Sequence, residues 1–320
     1  MKILAIQNRM GIGDTVIFLP FIKALSEKFN SPISLLVKES SKANQYLYET
    51  DYIDEIIILE RDKNYNNRHD GLFGSLNLIK DLKKYKFDKI FIFNSSLRFN
   101  LIARLSHIPK IYQYPLFQKN KQHITETPKQ FLKDKINLEA TGDPEIQIDQ
   151  KLVENSIKDF KINEEETNIL LGIGGSGPTK RIPAETFLNF IEKISKIKKC
   201  KFFLATGKDK NEQTILNQFM NSNFNNLCVP LDKLSIKETL PIIKNCNISI
   251  CNDTGFGHLS AALGIKTITL MADAPLVYGN YSSKMFPIIP DGEVSVAHGT
   301  KGKNKINPNK IFRKVIEILN

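Results

Sequence analysis

The chain has 320 residues, of which 41% are apolar and 25% charged, and it carries a net charge of +11. This balance excludes a disordered or fibrous protein and leaves room for two α/β domains of about 150 residues each. No run reaches the ~18 apolar residues of a membrane span, and the positive charge, spread over both halves, suits an anionic partner: a membrane surface, a nucleic acid or a phosphorylated substrate.

The N-terminus, MKILAIQNRM, lacks a long apolar core with a small-residue cleavage site. It reads as a first strand over residues 2–7, which implies a cytoplasmic protein. Helical spacing follows over residues 14–29, through Ile17, Phe18, Phe21, Ile22 and Leu25. Strands are expected at 33–37, 56–59, 89–93 and 111–114. The helices between them are expected near 42–49, at 72–85 with Leu72, Leu76, Ile79 and Leu82 on one face, and at 97–106. Residues 115–167 lose this rhythm and mark a boundary. Strands then recur at 168–173, 201–205, 227–230, 248–251 and 267–271, with helices at 183–197, 210–220, 235–244, 257–263 and 308–319. Apolar strands joined by helices imply parallel sheets covered on both faces. The chain therefore reads as two Rossmann-like α/β domains around a cleft, at 1–160 and 161–305, with a last helix over 306–320 returning to the first. The four cysteines, Cys200, Cys228, Cys246 and Cys251, form no C-x-x-C and read as structural thiols in a reducing compartment.

Ligands of such sheets sit at the carboxyl ends of strands, so three strand-to-helix loops carry the interest. Gly11-Ile12-Gly13-Asp14-Thr15 follows the first strand. Asp14 is either a helix N-cap or a general base at the cleft mouth. The second loop runs from Gly172 to Pro183 and formally matches G-x-G-x-x-G, but no acid follows the next strand end, Thr206-Gly207, as a nicotinamide site requires. It retains Ser176, Thr179, Lys180 and Arg181 ahead of a helix N-terminus. That is either an anion site or a solvated basic loop. The third, Asn252-Asp253-Thr254-Gly255-Phe256-Gly257-His258, presents small and polar groups at another helix start. His258 there is either a ligand contact or a structural histidine. No Asp-x-Asp and no His/Cys/carboxylate cluster with metal spacing occurs, so no metal and no cofactor are expected. Nucleic-acid binding is not expected either, because no basic stripe with interleaved aromatics exists.

These residues resemble glycosyltransferase family 9, the lipopolysaccharide heptosyltransferases. The segments that carry the resemblance are GIGDTVIFLPFIKAL, FDKIFIFNSSLRFNLIARLSHIPK, GGSGPTKRIP and NDTGFGHLSAALGIKTITL. The resemblance implies a GT-B fold and an inverting, metal-independent transfer of heptose from ADP-heptose to a lipopolysaccharide core or other glycan acceptor. By it, Asp14 would be the base, with Gly13 beside it close to the donor. Ser176, Thr179, Lys180 and Arg181 would hold the donor phosphates, and Asp253, Thr254, Gly255 and His258 would line the pyrophosphate. Glu212 would bind the ribose, the backbone of Leu234 the adenine, and Arg98 the acceptor. The acceptor would be glycan or lipid-linked, with peripheral contact to an anionic membrane. Ile182, Met271-Ala272-Asp273 and Ile92 depart from the family's usual residues. The competing readings are a GT-B-like nucleotide-sugar epimerase and a non-catalytic sugar-nucleotide-binding protein.

Overall fold

The computed structural model describes residues 1–61, 67–116, 122–175 and 177–320. The chain divides into two units, Met1–Gln147 and Ile148–Asn320.

In the first unit, strands β1 (Ile3–Ile6), β2 (Ile33–Lys38), β3 (Ile53–Leu59), β4 (Lys89–Ile92) and β5 (Lys110–Gln113) form one sheet in the order β3-β2-β1-β4-β5. Every pairing is parallel. All four residues of β1 are buried, because helices cover both faces of a parallel sheet. The helical pattern after β1 resolves into two helices, α1 (Ile12–Val16) and α2 (Leu19–Phe29). Pro20 causes the break: without an N–H it cannot continue the ladder from Val16, and it sits instead in the first turn of α2. The helix expected near 42–49 is absent. Two 3-10 turns, Glu39–Ser41 and Ala43–Gln45, occupy the region, separated by Lys42 in the left-handed region at φ 52°. Helices α3 (Gly71–Tyr85), α4 (Leu97–Leu105) and α5 (Glu126–Ile136) complete the unit. The buried face of α3 is Gly74, Leu78, Ile79 and Leu82; Leu72 and Leu76, expected on that face, are exposed.

The second unit begins with α6 (Gln150–Asp159), which the sequence reading left in the first. Asn245 Nδ2 ties it down, donating to the Val153 carbonyl at 3.0 Å and to Ser156 Oγ at 2.9 Å. Strands β6 (Thr167–Gly172), β7 (Cys200–Ala205), β8 (Cys228–Pro230), β9 (Ile248–Asn252), β10 (Thr267–Leu270) and β11 (Met285–Ile288) lie in the order β11-β10-β9-β6-β7-β8. These pairings are also all parallel. The periodicity did not predict β11, since Pro287 interrupts it. An edge strand tolerates a proline that a central one would not. Helices α7 (Ala184–Ser195), α8 (Lys210–Met220), α9 (Ile236–Lys244), α10 (Gly255–Ala262) and α11 (Pro308–Leu319) surround the sheet. Ile311 and Val315 of α11 are buried in this unit's own core with Phe187, Phe190 and Ile191 of α7. These two residues seat the last helix on the core of the second unit. Burial of each such side chain contributes about 1.5–3 kcal/mol, which anchors α11 where it is.

Counted from its own first strand, each unit has the Rossmann order, reversing between β1 and β4 in one and between β6 and β9 in the other. Loops at those switch points are where open α/β sheets bind ligands.

Candidate active site

At the switch point of the second unit, the loops after β6 and β9 are stitched together. The side-chain amide of Asn252 donates to the carbonyls of Ile173 and Gly174 at 2.9 and 3.0 Å. Gly172 permits the close approach of the two strands: a Cβ there would lie 2.6 Å from Cys251 Sγ. Four polar side chains then form a chain. Lys180 Nζ lies 2.5 Å from Asp253 Oδ2, and His258 Nε2 lies 3.8 Å from the other carboxylate oxygen. His258 Nδ1 is 2.8 Å from the hydroxyl of Tyr281, whose ring stacks on the imidazole with centroids 5.6 Å apart. Burial of Asp253 would raise its carboxyl, but His258 and Lys180 outweigh burial and hold it at about 2.

This cluster sits at the start of α10. Its N-cap, Thr254, makes no side-chain cap, and the first turn of α10 from Gly255 carries the positive end of the helix dipole. Thr254 Oγ1, Asn252 Oδ1 and Thr206 Oγ1 are buried with no hydrogen-bond partner among the described residues. Each such group costs about 1–3 kcal/mol, so three together mark a place shaped for something other than stability.

The loop after β6 is braced from three sides. Glu212, from α8, accepts the Gly175 N–H at 2.7 Å. Its carboxylate is so close to Gly174 and Gly207 that a Cβ on either would meet it at 2.3 Å. Arg181 reaches Asp209, the N-cap of α8, at 3.3 Å. The Thr179 hydroxyl, together with the backbone amides of Lys301 and Gly299, bonds Asp273 and pulls its carboxyl below the ordinary value. Lys303 Nζ donates to the Pro178 carbonyl at 2.9 Å. Lys180, Asp253 and His258 are thus brought together, with Thr254 and Gly255 at the adjoining helix start. Glu212 and Arg181 instead hold the loop itself. Leu234 lies in the turn that precedes α9, its N–H on the Leu231 carbonyl at 3.0 Å. Ser176 lies outside the described residues.

In the first unit, Asp14 is in the first turn of α1 and is not its N-cap; that position belongs to Gly11, at φ 98°. The loop is held by Gln7, whose side-chain amide donates to the Asp14 carbonyl at 2.9 Å while its Oε1 accepts the Arg9 N–H at 3.0 Å. Arg9 brings a guanidinium to 4.0 Å from the Asp14 carboxylate, which stays partly exposed. Gly13 accepts the Ile17 N–H at 3.0 Å within the same turn. Arg98 is engaged elsewhere: it donates to Ser75 Oγ at 2.9 Å and to the His69 carbonyl. Burial lowers its guanidinium below the ordinary value, as does Arg61, with Asp70 opposing.

Sequence reasoning gave no role to Tyr281 and did not foresee the ties made by Asn252 and Asp273. Tyr281 stands in an irregular stretch beyond β10, where no periodicity flags it. All four cysteines are free and buried. Burial pushes the Cys251 thiol up to about 12 and that of Cys200 to about 11, so neither is a ready nucleophile. Among the described residues, no group of three or more His, Cys, Asp or Glu could hold a metal ion, and no helix is long and apolar enough to cross a membrane.

Two Rossmann-ordered sheets, with Lys180 beside a helix start at the switch point of the second, define a protein of the GT-B class. Comparison with known proteins narrows this. The glycosyltransferase family 9 (heptosyltransferase) model matches residues 75–285, and the chain belongs to that family of glycosyltransferases. It is 28% identical over 281 residues to lipooligosaccharide heptosyltransferase 2 of Campylobacter jejuni, an alignment covering 81% of this chain and 77% of that one. It shares its fold with the family 9 glycosyltransferase of Veillonella parvula, at a TM-score of 0.81 and 17% identity over 99% of this chain and 97% of that one. The E. coli ADP-heptose lps heptosyltransferase II shares it too, at 0.74 and 14% over 100% and 98%.

Proposed function

We propose that the protein is an inverting, metal-independent heptosyltransferase that moves heptose from ADP-heptose to a lipopolysaccharide core or another glycan, lipid-linked acceptors included. The observation that carries this reading is the Lys180–Asp253–His258 cluster at the open start of α10. A sugar nucleotide leaves as a diphosphate, and its departure needs positive charge fixed in place beforehand. Lys180, the α10 amides and the Thr254 hydroxyl supply it. Asp253 keeps Lys180 aimed, and Tyr281 orients His258. In this reading Glu212 exchanges its backbone partner for ribose hydroxyls, and the turn at Leu234 meets adenine.

On the acceptor side, Asp14 takes the proton of the attacking hydroxyl. The oxygen forms its bond to the anomeric carbon on the face opposite the diphosphate, and the bond to the diphosphate oxygen breaks, so ADP departs and the configuration inverts. Arg9 stands beside this carboxylate, 4.0 Å away. The names of the relatives favour ADP-heptose as donor, and the buried free thiols fit a cytoplasmic enzyme acting at the inner face of a membrane.

The test is a calorimetric panel of ADP-, GDP- and UDP-sugars followed by product analysis with and without a glycan acceptor. Preference for the ADP-sugar and a glycosylated product are expected. Preference for UDP, or an epimerised sugar from donor alone, would overturn the assignment.

A further inference from the structure

The residues Met271-Ala272-Asp273, which depart from the family's usual pattern, have no part in the proposed transfer. Yet Asp273 is a buried carboxylate with three donors. Its Oδ1 accepts the backbone N–H groups of Gly299 and Lys301, both at 2.8 Å, and the carboxylate also accepts from the Thr179 hydroxyl. Burying a charge is costly without such partners, so the three bonds hold one another in place.

Thr179 belongs to the turn at 177–180, which the Lys180 N–H closes on the Gly177 carbonyl at 3.1 Å. Three side chains hold successive residues of this turn. Lys303 Nζ donates to the Pro178 carbonyl at 2.9 Å, Asp273 accepts from Thr179, and Asp253 pairs with Lys180 Nζ at 2.5 Å. The two acids follow the ends of neighbouring strands, since Leu270 of β10 pairs with Asn252 of β9. Adjacent strands thus grip adjacent residues of one turn.

Asp273 is itself backed by the segment at 297–302. The Gly302 N–H donates to the Ala272 carbonyl at 2.9 Å, and Thr300 Oγ1 donates to the Ala297 carbonyl at 2.9 Å. Lys301 lies in the left-handed region at φ 52°, which a side chain enters at a cost, and from there its N–H meets Asp273. Such a residue persists where its surroundings fix it. The ammonium of Lys180, by contrast, rides on a flexible four-carbon stem, and it meets a diphosphate without a further ordering cost only if its backbone is already set.

We propose that Asp273 is a positioning residue for the donor diphosphate: through the Thr179 hydroxyl it fixes the turn from which Lys180 reaches the start of α10. The proposal rests on the donor reading of Lys180, and it spends the Thr179 hydroxyl on Asp273 instead of on phosphate. A carboxylate that only fastened residues 299–301 to the sheet would govern stability and leave nucleotide binding alone.

ADP calorimetry on Thr179→Val, Asp273→Ala and the double variant separates these roles. Thr179→Val removes the hydroxyl, keeps the shape of the side chain and leaves Asp273 its bonds to Gly299 and Lys301. It also carries the test if Asp273→Ala does not fold. Each single variant should weaken ADP binding about three- to tenfold. The double variant should lose no more than Asp273→Ala does, because both changes break one bond. Thr179→Ser, which keeps the hydroxyl, should bind as the wild type does. Wild-type affinity in the folded single variants, whatever their melting temperatures, would overturn the proposal. So would losses that multiply in the double variant, the mark of a Thr179 hydroxyl on phosphate itself. Hydrogen exchange without nucleotide reads the hold by itself: exchange at 177–182 should quicken in both single variants, and unchanged exchange there would also overturn the proposal. If the wild type fails to bind ADP while exchange quickens as expected, the donor reading falls and the hold of Asp273 on the turn stands.

Discussion

In the proposed mechanism donor binding turns on Lys180, whose ammonium lies 2.5 Å from the Asp253 carboxylate beside the start of α10. Lys180→Ala should weaken ADP binding by about 1.5–3 kcal/mol, the size of a charge-assisted hydrogen bond, as read by calorimetry. Unchanged affinity would contradict the assignment. Tyr281→Phe removes the hydroxyl partner of His258 Nδ1 but keeps the stacked ring. It should cost about 0.5–1.5 kcal/mol of ADP binding and leave the melting temperature nearly unchanged. The Asp253 carboxyl is held at about 2, below its value of about 4 in an unfolded chain. A folded value that is lowered gives stability that is complete above about pH 4 and lost as the pH falls through about 2. Urea unfolding between pH 5 and pH 2 should show the wild type losing roughly 2 kcal/mol more than Asp253→Asn. Parallel curves for the two would remove Asp253 from the account.

Whole elements depend on how closely strands approach at the switch point. Gly172→Ala would force a Cβ against Cys251 Sγ and Cβ, where β6 and β9 end side by side. An overpacked core contact of this kind should cost about 1–3 kcal/mol in denaturant unfolding. The glycine loops, the Gly-Asp turn and the loop ending in His258 were all legible as sequence, because each is a run of small and polar residues after an apolar strand. The elements that escaped have physical reasons. Residues 42–49 contain apolar side chains at helical spacing, yet Lys42 adopts the left-handed region and limits them to 3-10 turns. In α3, periodicity counted Leu72 and Leu76 as core, whereas the packed stripe passes through Gly74 and Leu78. Gly74 fits there because a Cβ would fall 2.2 Å from the His69 backbone carbon. Periodicity does not see a backbone that close.

For the molecule as a whole, length and the restart of the strand–helix alternation announced two α/β units, while the exact boundary and the seat of the last helix depended on tertiary packing. Asn245 holds α6 in the second unit, and Ile311 and Val315 hold α11 there. The two units divide the proposed work, with the base in Met1–Gln147 and the diphosphate site in Ile148–Asn320. Catalysis and donor binding should therefore separate under mutation. The most direct measurement is heptosyl transfer from ADP-heptose by Asp14→Asn, with ADP affinity measured on the same protein. Transfer is expected to fall by about 10²–10⁴-fold while ADP affinity stays at the wild-type value, the signature of a lost general base. Near-normal turnover by the variant would contradict the assignment of the base and with it the proposed mechanism.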